Sequence, residues 1–101
     1  MAAETLSLAG KTALVTGSNR ANGIGCTIAR TLARNGASVA IHCVSEDSKA
    51  RAEKVANDIN REFGAKTTVV QGRVDNYDIA NHMVEQILKT FDVDHIDILG
   101  M

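Results

Sequence analysis

Apolar residues recur along this chain with two alternating periods. "KTALVT" (11–16) is a short apolar run that predicts a strand, and from Ile24 the positions Ile28, Ala29, Leu32 and Ala33 return at helical spacing until Gly36 stops them. "ASVAIHCV" (37–44) predicts a second strand. From Ser45 to Phe63 the apolar positions Ala52, Val55, Ala56, Ile59 and Phe63 are separated by charges and predict a solvent-facing helix with Gly64 as its stop. The β-branched "KTTVVQG" (66–72) predicts a third strand. Ile79, Met83, Val84, Ile87, Leu88 and Phe91 then form one stripe on a third helix, and "HIDILG" (95–100) begins a fourth strand.

The order βαβαβαβ, with strands that read as nearly continuous apolar runs, calls for a parallel sheet covered on both faces. Right-handed crossovers place the first strand centrally and give the strand order 3-2-1-4, a truncated Rossmann arrangement (doubly wound parallel sheet) with about three helices. Ligands of such sheets bind outside the carboxyl ends of the strands, where the first and fourth strands diverge. The chain has no proline, repeat or low-complexity linker, so residues 1–101 are read as one unit.

Composition narrows the function. With 45% hydrophobic and 23% charged residues and a net charge of −1, the chain is globular and offers no electrostatic reason for nucleic acid or an anionic membrane as partner. "MAAETLSLAG" lacks the basic start and apolar core of a secretory signal, and no apolar run is long enough to span a bilayer, so a soluble, cytoplasmic protein is expected. Cys26 and Cys43 fit neither a zinc nor a CxxC pattern and are read as reduced thiols. "DVDHID" (92–97) carries the oxygen donors of a hard-metal cluster but serves equally as a polar turn before a strand, and no metal is expected. His42 and His82 have no partner spacing that suggests a relay, and the charges of residues 46–62 read as a solvated helix face.

The stretch "LVTGSNRANGIGCTIARTLARNGA" (14–37) carries the chemistry. Gly17, Gly23 and Gly25 lie where a strand hands over to a helix, and a bare backbone there lets a phosphate reach the N–H groups of the first helical turn. A P-loop would follow its second glycine with Lys and Ser or Thr, whereas Gly23 is followed by Ile24, Gly25 and Cys26, so nucleotide triphosphate hydrolysis is not indicated. Dinucleotide binding remains, with tight turning and close helix packing as the purely structural alternative.

"GKTALVTGSNRANGIGCTIARTLARNGASVAIH" resembles the first βαβ unit of the short-chain dehydrogenases/reductases, whose loop reads TGxxxGIG, and "HIDIL" resembles the strand before that family's Asn-Asn-Ala-Gly motif. Within the family the chain is most similar to the 3-oxoacyl-carrier-protein reductase type. The resemblance implies a Rossmann fold, a nicotinamide cofactor, and hydride transfer between a carbonyl and an alcohol. It implies a dinucleotide site at Gly17, Ser18, Asn19, Arg20, Gly23, Ile24 and Gly25, with Val74 offering its backbone to the adenine. An NAD enzyme ends its second strand on Asp or Glu for the ribose 2′-hydroxyl; here that position is Cys43. Arg20 and Ser45 are placed to meet a 2′-phosphate, so NADP is expected over NAD, although Ser45 could serve only as a helix cap.

Three departures accompany the resemblance. Five residues separate Gly17 from Gly23 where the family has three, so the loop is expected to bulge; Arg73 stands where the family has an adenine-binding aspartate. Gly100 and Met101 stand where Asn-Asn-Ala-Gly should begin, and the catalytic Ser and Tyr-x-x-x-Lys have no counterpart, since Tyr77, the one tyrosine, is followed four residues later by Asn81. No catalytic residue is therefore assigned. The expectation is the front part of a reductase domain, incomplete at its C-terminus and inactive alone. The alternatives are a non-catalytic nucleotide-binding or partner-pairing module, self-associating or paired with an intact homologue, and a truncated product without a function of its own.

Overall fold

The computed structural model describes residues 8–16, 24–72 and 76–100. The two sequence periods become seven elements: β1 (Thr12–Val15), α1 (Ile24–Arg34), β2 (Ser38–Cys43), α2 (Glu46–Phe63), β3 (Thr67–Gln71), α3 (Tyr77–Phe91) and β4 (Ile98–Gly100). The strands form one parallel sheet in the order β3-β2-β1-β4, as the alternation predicts. Its register sets Thr12 beside Ser38, Ala13 beside Ile98, and Val39 beside Thr67.

The doubly wound arrangement is visible in how side chains divide between the two faces. Along β2, Val39, Ile41 and Cys43 point into a core shared with Val15 and with Cys26, Ala29 and Ala33 of α1 and Ala52, Val55, Ala56 and Ile59 of α2. Ala40 points the other way, joining Val70 of β3 and Met83, Ile87 and Phe91 of α3. A strand alternates its side chains between faces, so a sheet with helices on both sides must be apolar at nearly every strand position. Each fully buried isoleucine here, Ile41, Ile59 and Ile87, contributes about 1.5–3 kcal/mol by leaving water.

The helices stop for identifiable reasons. Gly64 ends α2 in the left-handed region at φ 69°, its N–H donating to the Asn60 carbonyl, and Gly36 ends α1 at φ 105°. A side chain on Gly36 would also meet the backbone of Ala9, 3.0 Å from its nitrogen. α3 ends differently, on Asp92 at φ 56°, the one non-glycine residue with positive φ among the described residues.

The starts of three elements refine the sequence expectation. α2 begins at Glu46 because Ser45 is its N-cap, and α3 begins at Tyr77 after the N-cap Asn76, whose side chain accepts the Ile79 N–H. The fourth strand, expected from residue 95, pairs as strand only from Ile98. Asp94, His95 and Asp97 instead bond to one another through their side chains, with both ring nitrogens of His95 occupied.

Candidate functional site

Because the strands are parallel, their carboxyl ends share one edge. Val15 lies across from both Ile41 and Gly100, and Cys43 from Gln71. Each helix follows one strand and leads back to the start of the next parallel strand, so α1, α2 and α3 all begin from this edge. The positive ends of three helix dipoles are thereby gathered on one side of the sheet.

The three starts are dressed differently. α2 carries Glu46 and Asp47 in its first turn and α3 carries Asp78, whereas the first turn of α1 has no acidic residue. Gly25 is buried within that turn of α1. A helix start with no carboxylate of its own and a glycine in its first turn suits an incoming anion, because nothing local repels the charge and no Cβ stands over the backbone. Ile24 and Gly25 therefore fall in the first turn of α1. Gly17, Ser18, Asn19, Arg20, Gly23 and Val74 lie outside the described residues, as does Arg73.

Ser45 is described, and it caps α2. Its Oγ accepts the Ser48 N–H at 3.4 Å, while the Ser48 Oγ accepts the Ser45 N–H at 3.3 Å and donates to the Ser45 carbonyl at 3.0 Å. This reciprocal box satisfies N–H groups that the helix itself cannot. It escapes a sequence reading because the usual signature has Glu or Gln where this chain has Ser48. Ser45 remains exposed at the edge, so its hydroxyl keeps hydrogen-bonding capacity beyond the cap.

Cys43, in the position where a ribose-binding carboxylate would stand, turns away from the edge into the core and is 2% exposed. Burial pushes its thiol pKa up, with Lys49 and a Ser48 hydrogen bond acting weakly in the other direction. No carboxylate occupies this position to repel a 2′-phosphate, although Glu46 and Asp47 follow soon after in the chain.

The β2–β3 end of the edge is clipped twice. The Gly72 N–H donates to the Cys43 carbonyl at 3.0 Å, and Nε2 of the buried His42 lies 2.7 Å from the Gly72 carbonyl. A carbonyl oxygen only accepts, so Nε2 carries the proton. His42 thus has a structural duty that its isolation in the sequence conceals. Gly72 itself is a residue the sequence pattern does not single out.

Comparison with known proteins places this architecture. Residues 11–100 match the short chain dehydrogenase family. NADP-dependent mannitol dehydrogenases from Hypocrea jecorina (strain ATCC 56765 / BCRC 32924 / NRRL 11460 / Rut C-30) and Alternaria alternata are each 34% identical to the chain over 87% of its length. The chain spans 32% of the length of each of these relatives. Among solved structures, L-sorbose reductase from Gluconobacter frateurii, complexed with NADPH and L-sorbose, superposes with a TM-score of 0.78 at 27% identity, covering 94% of this chain and 34% of that one. A blue fluorescent protein from a metagenomic library, in complex with NADPH, superposes with a TM-score of 0.80 at 32% identity, covering 92% of this chain and 36% of that one. The fold, the glycine-marked start of α1 and a family match running from β1 through β4 agree: the chain belongs to the short-chain dehydrogenase family.

Proposed function

We propose that residues 1–101 are the NADP(H)-binding front of a carbonyl/alcohol oxidoreductase of this family, and that the chain is inactive by itself. The observation that carries the reading is the start of α1: a first turn without acid, entered from a glycine-rich stretch, at the carboxyl edge of the sheet. The relatives described as NADP-dependent and the neighbours solved with NADPH support the cofactor choice.

The residues divide the work by chemistry. Backbone N–H groups of Ile24 and Gly25, with the loop residues Gly17, Ser18, Asn19 and Gly23, receive the pyrophosphate. The Arg20 guanidinium forks onto the 2′-phosphate beside the Ser45 hydroxyl, and Val74 meets the adenine through its backbone. The dinucleotide, when bound, supplies or takes the hydride. Reduction of a carbonyl also needs a proton donor, and an unperturbed tyrosine with a pKa near ~10 is a poor one at neutral pH without a lysine beside it. Tyr77 has no such lysine at the family spacing, which is why no activity is expected of the chain alone. The sequence resemblance supports a 3-oxoacyl substrate, whereas the curated relatives support a polyol. Both are carbonyl/alcohol pairs, and the reaction class is proposed at that level. A second reading, pairing with another copy or an intact relative, is favoured by Leu99, which is 63% exposed on the edge strand β4.

Titration of the chain with NADPH and NADH, followed by nucleotide fluorescence, tests the proposal. NADPH should bind more tightly, and Arg20→Ala should weaken NADPH by about 1.5–3 kcal/mol, the worth of a charged hydrogen bond, while leaving NADH nearly unchanged. Equal losses for both nucleotides would remove Arg20 from the 2′-phosphate. Turnover of NADPH with acetoacetyl or ketose substrates that survives repurification would overturn the inactivity.

A further inference from the structure

Beside the amino ends of β1 and β4, a hollow is lined by Gly10, Asp92, Val93, Asp94, His95 and Asp97. The His95 ring has an acid partner at each of its nitrogens. Nδ1 lies 2.6 Å from Oδ1 of Asp94, and Nε2 lies 2.8 Å from Oδ1 of Asp97. An ionised carboxylate only accepts hydrogen bonds, and a neutral imidazole has a single N–H to give. Both contacts are satisfied together only by the imidazolium.

Asp97 extends the connection into the sheet. Its second oxygen, Oδ2, accepts the Thr12 N–H at 2.9 Å, and its own N–H donates to the Thr12 carbonyl at 2.9 Å. Thr12 is the first residue of β1 and only 2% exposed, so these two bonds hold the segment leading into β4 against the buried start of β1. The charged groups around the ring are Asp94 and Asp97 on its own segment, Asp92 from the end of α3, and Lys11 ahead of β1, which acts on Asp97. With the ring charged, it and Lys11 set two cations against three carboxylates. With the ring neutral, a ring nitrogen lone pair faces a carboxylate oxygen, and the acids repel one another.

We propose that His95 is a pH-sensitive latch: as the imidazolium it clamps Asp94 and Asp97 together and so fastens the start of β4 to β1, and on losing its proton it loosens that junction.

The window follows from the direction of each shift. Hydrogen bonds that the ring donates to Asp94 and then to Asp97 raise the His95 pKa above its ordinary value. The latch is therefore complete below the unfolded histidine value of about 6.5 and is lost as pH rises through the higher folded value. Asp94, through its bond to His95, and Asp97, foremost through its bond to Thr12, are held below the ordinary carboxylate range. Their contribution is present above the unfolded carboxylate value of about 3.9 and fails as pH falls through the folded values. The junction is tightest in mild acid.

Hydrogen exchange of the Thr12 amide in the full chain reads the latch directly, because that N–H is the one Asp97 holds. Between pH 5.5 and 8.5, chosen as about one unit below and two above the ordinary histidine value, the protection factor corrected for intrinsic exchange should fall about two- to fivefold, the scale of an exposed ion pair. In His95→Gln the protection should be lower in mild acid and flat across the same range. Ring nitrogen shifts of the unmodified chain should show both His95 nitrogens protonated in mild acid. Thr12 protection that does not change with pH, the same pH dependence in His95→Gln, or a neutral His95 ring in mild acid would each overturn the proposal.

Discussion

A Cβ placed on Gly72 would stand 2.5 Å from Cγ2 of Ile79 and 3.0 Å from Sδ of Met83. The glycine is what lets α3 approach the end of β3 at this distance. Gly72→Ala should destabilise the chain by about 1–3 kcal/mol, as overpacking of a close contact does. Ile79 is 39% exposed, so Ile79→Ala alone should cost little. Combined with Gly72→Ala it should return a good part of the loss, because the two changes share one space. Urea denaturation of the four-member cycle checks this, and strict additivity would show that the contact is not what Gly72 protects.

Asp92 closes α3 in a left-handed conformation, with φ 56° and ψ 51°. Its N–H reaches the Leu88 and Lys89 carbonyls, and the Val93 N–H donates to the Leu88 carbonyl at 3.0 Å. The bonds are those of a helix ending on glycine, made here by a residue with a Cβ. Asp92→Gly should therefore stabilise by about 0.5 kcal/mol, the strain relieved being partly offset by a more flexible unfolded chain. Asp92→Val should destabilise by more than that gain, because β-branching opposes positive φ. Thermal midpoints of the three proteins order the effects.

Both thiols are buried, Cys26 at 0% and Cys43 at 2% exposure, and burial holds the Cys43 pKa up. The reactive species is the thiolate, so native labelling of Cys43 by a disulfide reagent at neutral pH should be slow and should accelerate with denaturant in step with unfolding. Labelling as fast as in the denatured chain would mean that the end of β2 opens on its own.

Much of the fold is legible because it rests on burial. The stripe Ala52, Val55, Ala56, Ile59 names the buried side of α2 outright, and Gly36 and Gly64 announce their helix ends by the backbone conformation they permit. What escapes is set by short polar bonds that composition does not display. Asp92 as a helix end, Ser48 as half of a capping box and the late start of β4 at Ile98 each depend on where one side chain finds a backbone partner. Gly72 reads as the last residue of a strand, and nothing local shows that Ile79, seven residues onward on a helix, will press on it. In the candidate site, the sequence leaves Ser45 open between a cap and a phosphate contact, and its bonds to Ser48 establish the first. Cys43 could not reveal by position alone that it points inward.

The bond between Thr12 and Asp97 joins residues 85 positions apart. Closing so wide a loop adds little entropy cost over a shorter one, but it imposes an order in time on a chain made from its amino end. β1 can acquire β2 once α1 has been synthesised, whereas its other side stays unpaired until the segment around Asp97 emerges. Through that interval "TALV" offers an open row of backbone groups, available to any extended segment nearby. The hazard during biosynthesis is thus a foreign strand taking the place of β4 along β1, an inner strand of the finished sheet.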